Sequence, residues 1–371
     1  MREIVGVQHM KIYIFDDTLI LSGANISHSY LTNRQDRIIL FKENKHLANR
    51  FYEIATCIAS NSFNVVQAKE DASRRCILPS VIFPGKLSSK YLLDPPRFDP
   101  LTQPFQFSLN LRNQLEDIFV PRGADKSSLI YRRSFPKRFL AQKVYENCRV
   151  ADGEAKRSID WDVGDTWLLP TVQAGFAGVR QEESLTLSIF NLLGDQDGDL
   201  WITSPYMNFS ESYVRAMAHL PKEIRMEILT SSMEANGFFG SKGISGQIPI
   251  AYAMLEQRFW SRISKNGVHR TLREYYREGY EFHAKGLYWT PRKTNEPMLA
   301  SLGSSNFGIR SLRRDLECQS ILITKNESLR DKLREEWKGL VQHSSVINQE
   351  NLLQRGSYFG RLAIRAVRGF L

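Results

Sequence analysis

The chain is 371 residues long, 42% hydrophobic and 24% charged, and its 50 Lys and Arg against 40 Asp and Glu give a formal net charge of +10. That length supports two lobes with cores of their own, no run approaches the roughly 20 apolar residues that span a bilayer, and four scattered cysteines, Cys57, Cys76, Cys148 and Cys318, exclude a secreted disulfide framework. The basic surplus points to an anionic partner, either lipid or nucleic acid.

Residues 8–15 alternate with the period of a strand, so His9 and Lys11 share one face and Met10, Ile12 and Ile14 the other. A turn bearing Asp16 leads to a second apolar run, Leu19 to Leu21, which delivers the small-residue loop Ser22-Gly23-Ala24-Asn25. Small residues let backbone amides approach an anion closely. A strand is expected over residues 37–41. An amphipathic helix follows over 43–60, with Leu47, Phe51, Ile54, Ala55 and Ile58 at helical spacing. Residues 71–165, rich in proline, read as a connector that holds helices over 108–119 and 138–147. A second lobe begins near Leu168. In it, strands over 201–204 and 225–229 flank a helix over 210–220, which favours a parallel pair. A Gly/Ser-rich loop over 234–246 carries Lys242. Residues 282–288 then repeat the first strand with His283 and Lys285 on one face. Residues 298–302 repeat the second run, and Gly303-Ser304-Ser305-Asn306 repeat the loop. A closing helix is expected over 330–340. The final segment, 346–371, is a basic tail in which residues 358–371 interleave Arg361, Arg365 and Arg368 with apolar residues, a pattern suited to an interfacial helix on an anionic membrane.

The repeat extends to a carboxylate. Asp36 follows Asn25 by eleven residues, and Glu317 follows Asn306 by eleven. Two ordered sets of histidine, lysine, amide and carboxylate imply two half-sites that form one active site. A phosphodiester or pyrophosphate repels nucleophiles, so a site acting on one must neutralise its non-bridging oxygens, here with Lys11, Lys285, Asn25 and Asn306, and the Ser304 loop. An imidazole with a pKa of about 6.5 can be neutral and nucleophilic in one half and protonated in the other. Asp36 and Glu317 are the candidates for orienting the rings, with Asp16 as a competitor in the first lobe. No cluster has metal-ligand spacing, and this scheme needs no metal or cofactor.

The pattern H-x-K-x4-D with a following Gly/Ser-x-Asn loop resembles the signature of the phospholipase D superfamily, in which two such motifs meet at a pseudo-twofold interface and catalysis passes through a phosphohistidine. Thr290 stands where the second motif would carry its Asp. Several further segments resemble the eukaryotic phosphatidylglycerophosphate synthases, the CDP-diacylglycerol:glycerol-3-phosphate 3-phosphatidyltransferases, a family whose second motif also lacks the Asp. They are residues 21–27, 30–37, 234–240, 282–288, 303–308 and 314–317, and the likeness covers 1–70 and 170–342.

The resemblance implies an α/β fold of two phospholipase D-like lobes, mixed sheets flanked by helices, related by a pseudo-twofold. Only eight residues precede His9, so the first lobe is expected to be N-terminally incomplete. The expected divisions are 1–70, 71–165, 166–345 and 346–371. The implied substrates are CDP-diacylglycerol and glycerol 3-phosphate, in the route to cardiolipin at the matrix face of the mitochondrial inner membrane. His9 is implied as nucleophile and His283 as acid and base, with Lys11, Asp16 and Lys285 completing the motifs. Glycerol 3-phosphate is anionic, which makes Arg34, Arg37, Arg310 and Arg314 the nearest candidates for binding it. Three other functions are a phosphatidylserine synthase, a phosphodiesterase or nuclease of the same superfamily, and an inactive lipid-binding remnant. No aromatic and basic stacking module is evident, and nucleic acid is not the expected partner.

Overall fold

A computed structural model describes residues 6–67, 91–119, 164–242, 246, 248–264, 269–293 and 297–347. The helix expected over 138–147 and the basic tail from 348 onward lie outside these residues, as does most of the connector.

Strands β1 (Ile12–Phe15) and β2 (Thr18–Ser22) form an antiparallel hairpin. Its turn places Asp16 at a positive φ of 51°, a conformation that Asp tolerates better than most residues. After a short helix α1 (His28–Thr32) and strand β3 (Arg34–Gln35), β4 (Ile38–Phe41) pairs with β2 to complete a three-stranded sheet. Helix α2 (Lys45–Ser60) starts where the Asn44 side chain accepts the Leu47 N–H, and it buries Ala48, Phe51, Ile54 and Cys57 along one face. Strands β5 (Asn64–Gln67) and β6 (Tyr91–Asp94) pair antiparallel, and helix α3 (Pro104–Phe119) begins at a proline, which suits the first helical position. Leu111 and Leu115 of α3 join Met10, Leu19, Phe51, Val172 and Leu316 in one apolar cluster. Residues 104–119 are therefore core, not connector, because their buried face meets α2.

The second half continues with β7 (Thr166–Ala174), β8 (Val179–Arg180), α4 (Gln181–Leu192), β9 (Gly198–Thr203), α5 (Glu211–Ala218), β10 (Arg225–Ser231) and α6 (Ile248–Ile263). Next come β11 (Arg270–Tyr275), β12 (Glu281–Phe282), β13 (Gly286–Pro291), β14 (Met298–Gly303), α7 (Ile309–Arg313), β15 (Leu316–Thr324), α8 (Glu327–Val341) and β16 (Ser344–Val346). Nine strands form one mixed sheet in the order β16-β11-β10-β9-β13-β14-β15-β7-β8. Strands β9, β10 and β11 run parallel, as the strand-helix-strand spacing predicts for the first two. One face of the sheet packs Ile202, Ile228 and Leu287 against Tyr213, Met217, Phe259 and Trp260 of α5 and α6. The other packs Tyr288, Leu302 and Leu322 against Leu333 and Trp337 of α8, with Ile39 and Phe41 of β4 docked at its side.

The two motif strands are not continuous. Gln8 forms an isolated parallel bridge with Leu316, so that the His9 N–H donates to the Leu316 carbonyl at 2.8 Å. In the same way β12 pairs parallel with β3, Phe282 opposite Gln35, and the His283 N–H donates to the Gln35 carbonyl at 2.8 Å. Beyond each lysine the chain rejoins its own half, β1 with β2 and β13 with β9 and β14. The strand pattern lapses over His-x-Lys because the chain changes hydrogen-bonding partner there. Both interruptions fall where the two halves meet.

Candidate active site

Each histidine is held by the carboxylate of the opposite half. His9 Nδ1 lies 3.0 and 2.9 Å from the two oxygens of Glu317, and His283 Nδ1 lies 2.6 Å from Asp36 Oδ2. The backbone bridges cause this exchange. They align the residue before each histidine with the residue before each carboxylate, so ring and carboxylate emerge side by side. A carboxylate at Nδ1 fixes the proton there and leaves Nε2 to react.

Ser304 donates to Glu317 Oε2 at 2.5 Å, which fixes the carboxylate behind His9. Asp36 instead accepts the Arg37 N–H at 2.8 Å. A Cβ on Gly23 would fall 2.7 Å from Asp36 Oδ1 and 2.9 Å from Lys285 Nζ, so the loop needs glycine to let these groups close on it. Lys11 Nζ donates to the His9 carbonyl at 2.7 Å, and Lys285 Nζ to the His283 carbonyl at 2.5 Å. Lys285 Nζ also stands 2.7 Å from His283 Nδ1 and 3.7 Å from Asp36 Oδ2. The two halves thus repeat the same side-chain path.

Burial dominates the electrostatics. It pulls both lysines down to about 8, against the attraction of Glu317 on Lys11 and of Asp36 on Lys285. Burial also pushes Glu317 and Asp36 up, yet their cationic and hydrogen-bonding neighbours outweigh it and hold both below the usual carboxylate range. His283 is pulled down to about 3 by burial and the adjacent Lys285, which keeps the ring neutral. The lysines can bind phosphoryl oxygens as cations only below their pKa. We therefore expect kcat/KM to fall as pH rises through about 8, with that limb altered in Lys285→Met. That substitution should cost on the order of 10²–10³ in kcat, the loss of one charge-stabilising donor.

The remaining sequence candidates divide. Asn25 is exposed and donates to Tyr30 Oη at 3.5 Å, close to His283. Asn306 anchors its loop, accepting from Ser204 Oγ at 3.0 Å through its carbonyl and donating to Ser311 Oγ at 3.3 Å through its N–H, while its buried Oδ1 has no hydrogen-bond partner among the described residues. Asp16 does not orient His9. It is exposed at the far end of the β1–β2 hairpin, roughly 16 Å of extended chain beyond Lys11. Thr290 is likewise remote in role, paired with Asp199 inside the large sheet.

Arg37 is not an acceptor ligand. It is buried, donates to both oxygens of Glu336 at 2.9 Å and to the Lys285 and Ser301 carbonyls at 3.0 and 2.8 Å, and stacks on Tyr288. Arg37→Ala leaves Glu336 without its cation and should destabilise the fold by about 3–5 kcal/mol, measurable by urea denaturation. Arg310 is likewise committed, to Asp315 at 2.9 Å, and Asp315 accepts the Val7 N–H that leads into His9. Arg314 closes α7 through its N–H to the Arg310 carbonyl. Arg34 alone of the four adjoins the contacts of His283, ion-paired with Glu281 and stacked 4.3 Å over Tyr30, whose hydroxyl faces that ring.

Sequence reasoning missed Tyr30, Tyr206 and Glu182. Tyr30 Oη lies 3.4 Å from His283 Nε2, and the Tyr206 ring is 6.4 Å from the imidazole and stacked on Tyr252. Tyr30 lies within the family-like segment 30–37, which is the signal that could have marked it. Glu182 is buried at the start of α4, and burial pushes it up to about 8, so it is neutral near Glu317. The buried thiols of Cys57 and Cys318 are pushed up by the same effect. Among the described residues, no three His, Cys, Asp or Glu side chains are grouped to hold a metal ion.

No family model matches the chain. It is 36% identical over 337 residues to a Dictyostelium discoideum protein named "Probable CDP-diacylglycerol--glycerol-3-phosphate 3-phosphatidyltransferase", covering 90% of this chain and 52% of that protein. It is 31% identical over 357 residues to the mitochondrial CDP-diacylglycerol–glycerol-3-phosphate 3-phosphatidyltransferase of Gallus gallus, covering 95% and 59%. The chain thus spans a little over half the length of these curated relatives. Among solved structures, the phosphatidylserine synthase of Haemophilus influenzae Rd KW20 matches with a TM-score of 0.61 and 18% identity, over 100% of this chain and 72% of that one, which shows a shared fold. In sequence the chain is thus similar to proteins named CDP-diacylglycerol–glycerol-3-phosphate 3-phosphatidyltransferase, and in fold to a phosphatidylserine synthase.

Proposed function

We propose that this chain transfers a phosphatidyl group from CDP-diacylglycerol to sn-glycerol 3-phosphate through a phosphohistidine, releasing CMP and forming phosphatidylglycerophosphate. The carrying observation is the exchanged pairing, His9 with Glu317 and His283 with Asp36, which sets two oriented imidazoles and two ammoniums in one site. His9 Nε2 attacks the phosphatidyl phosphorus, and the bond to the CMP oxygen breaks. His9 suits this role because its side chain is one-fifth accessible, at 20%, while His283 is buried. The charge of the bound diphosphate raises the proton affinity of His283, which takes up a proton at Nε2 from solvent as the substrate binds and gives it to departing CMP. Neutral again, His283 takes the proton of the acceptor's primary hydroxyl as that oxygen bonds to phosphorus and the P–N bond to His9 breaks. Splitting the transfer into two displacements is the advantage of a covalent route.

Arg34 is the candidate for the acceptor's phosphate, and the Lys11 and Lys285 ammoniums for the reacting one. The relatives' names support mitochondrial residence, and we place the activity at the matrix face of the inner membrane. No helix among the described residues is long and apolar enough to cross a membrane. Contact with anionic lipid is assigned to the basic segment 346–371. The test is CMP release from CDP-diacylglycerol in mixed micelles with glycerol 3-phosphate, with serine or with no acceptor. Release that depends on glycerol 3-phosphate and yields phosphatidylglycerophosphate supports the synthase. Dependence on serine would make the chain a phosphatidylserine synthase, and acceptor-free cleavage of nucleotide diesters would make it a nuclease. Mapping the labelled phosphohistidine to His283 would reverse the two histidine roles.

A further inference from the structure

The reacting nitrogen of His283 already has a side-chain partner that the two displacements do not use. Tyr30 Oη lies 3.4 Å from His283 Nε2, and the two rings meet edge to face at 5.1 Å. Because Nδ1 faces Asp36 at 2.6 Å, Nε2 is the accepting nitrogen and the phenol is the donor. Lys285 Nζ is also 3.4 Å from Nε2, but it is closer to the His283 carbonyl and to Nδ1. Burial raises the phenol's pKa, so it keeps its proton. A hydroxyl donating to Nε2 stands where base catalysis requires the hydroxyl that is to be deprotonated.

This contact is built by the same crossing of the halves that sets the imidazole. Arg34 stacks on the Tyr30 ring and ion-pairs with Glu281, its neighbour across the β3–β12 bridge, and that bridge also joins His283 to Gln35. Asn25 donates to the phenol oxygen at 3.5 Å. Both contacts to the hydroxyl are at the long limit of a hydrogen bond, hence weak and displaceable. Tyr30 sits on a helix of five residues, none of them buried, so little packing opposes its displacement.

We propose that Tyr30 is a positioning residue that withholds His283 from water in the covalent intermediate, its hydroxyl covering Nε2 once CMP has taken the proton and left, until an acceptor alcohol displaces it, so that the intermediate is transferred instead of hydrolysed. This rests on the transferase reading. In hydrolysis a water oxygen bonds to phosphorus, the P–N bond to His9 breaks, the proton passes to His283 Nε2, and phosphatidate leaves. Transfer follows the same course with the acceptor's oxygen. An acceptor anchored by its own phosphate can displace the phenol, whereas a single water gains only the one hydrogen bond it must replace.

Tyr30→Phe keeps the ring on Arg34 and removes only the hydroxyl. In the micelle assay, the ratio of phosphatidate to phosphatidylglycerophosphate should rise about tenfold in Tyr30→Phe, a change worth ~1.4 kcal/mol. The proposal is overturned if the wild-type chain makes phosphatidylglycerophosphate and Tyr30→Phe partitions between phosphatidate and product as wild type does. A wild-type chain that releases no CMP would instead sink the transferase reading. The covering contact is read without substrate by the rate at which diethyl pyrocarbonate acylates His283, mapped by mass spectrometry. Tyr30→Ala should speed that modification severalfold while leaving His9 unchanged, and equal rates at His283 in the two proteins would overturn the proposal.

Discussion

Replacing either His9 or His283 by alanine is expected to abolish transfer, and replacing both should cost no more than either alone. Groups that act as a unit are grossly non-additive, and losses on the order of 10⁵–10⁶ in kcat are the scale for removing a nucleophile or its proton partner. The two rings here are a unit by construction, since each is oriented by a carboxylate from the opposite half. Single-turnover CMP release from CDP-diacylglycerol measures the first displacement and product formation the second. Substantial turnover retained by either single variant would rule out a shared site.

The second large effect concerns the carboxylates. Glu317→Gln and Asp36→Asn should each lower turnover by about 10³–10⁴, the scale observed when an orienting carboxylate becomes an amide and the wrong tautomer is favoured. The exchange gives this prediction its direction. Glu317 follows His283 in the chain, yet its substitution should slow the CMP burst, the step assigned to His9. Asp36→Asn should slow intermediate breakdown, the step that needs His283 as base. The opposite pattern would show that each carboxylate serves the histidine of its own half. Ser304→Ala, which removes the donor behind Glu317, should give a smaller loss in the same step.

The residue types of the site and many of its supporting elements were legible from period and repeat. The hydrophobic spacing of 43–60 announces α2, and the strand-helix-strand pattern around 210–220 announces the parallel β9–β10 pair. What the pattern could not convey was partnership. Alternation reports which faces two residues share, and says nothing of which strand lies alongside, so the break at His-x-Lys and the crossed carboxylates stayed hidden. The arginines show the same limit. Arg34 and Arg37 look alike in sequence, but Arg37 points into carbonyls and Glu336, while Arg34 lies against Tyr30 beside His283. Asp16 matched a motif position whose location at a hairpin tip depends on where β1 ends. Helix α3 was foreseen in part, but its burial against α2 is a tertiary fact that the proline-rich composition around it obscures.

The contact between His9 and Glu317 joins residues 308 positions apart in the chain. Synthesis proceeds from the N-terminus at about 5–20 residues per second, so the first imidazole waits tens of seconds at the slower rates before its orienting group exists. During that interval a nascent chain holds one half-site and no complete catalytic pair. Any chemistry that needs both crossed pairs therefore cannot begin until the strand bridges between the two halves have closed.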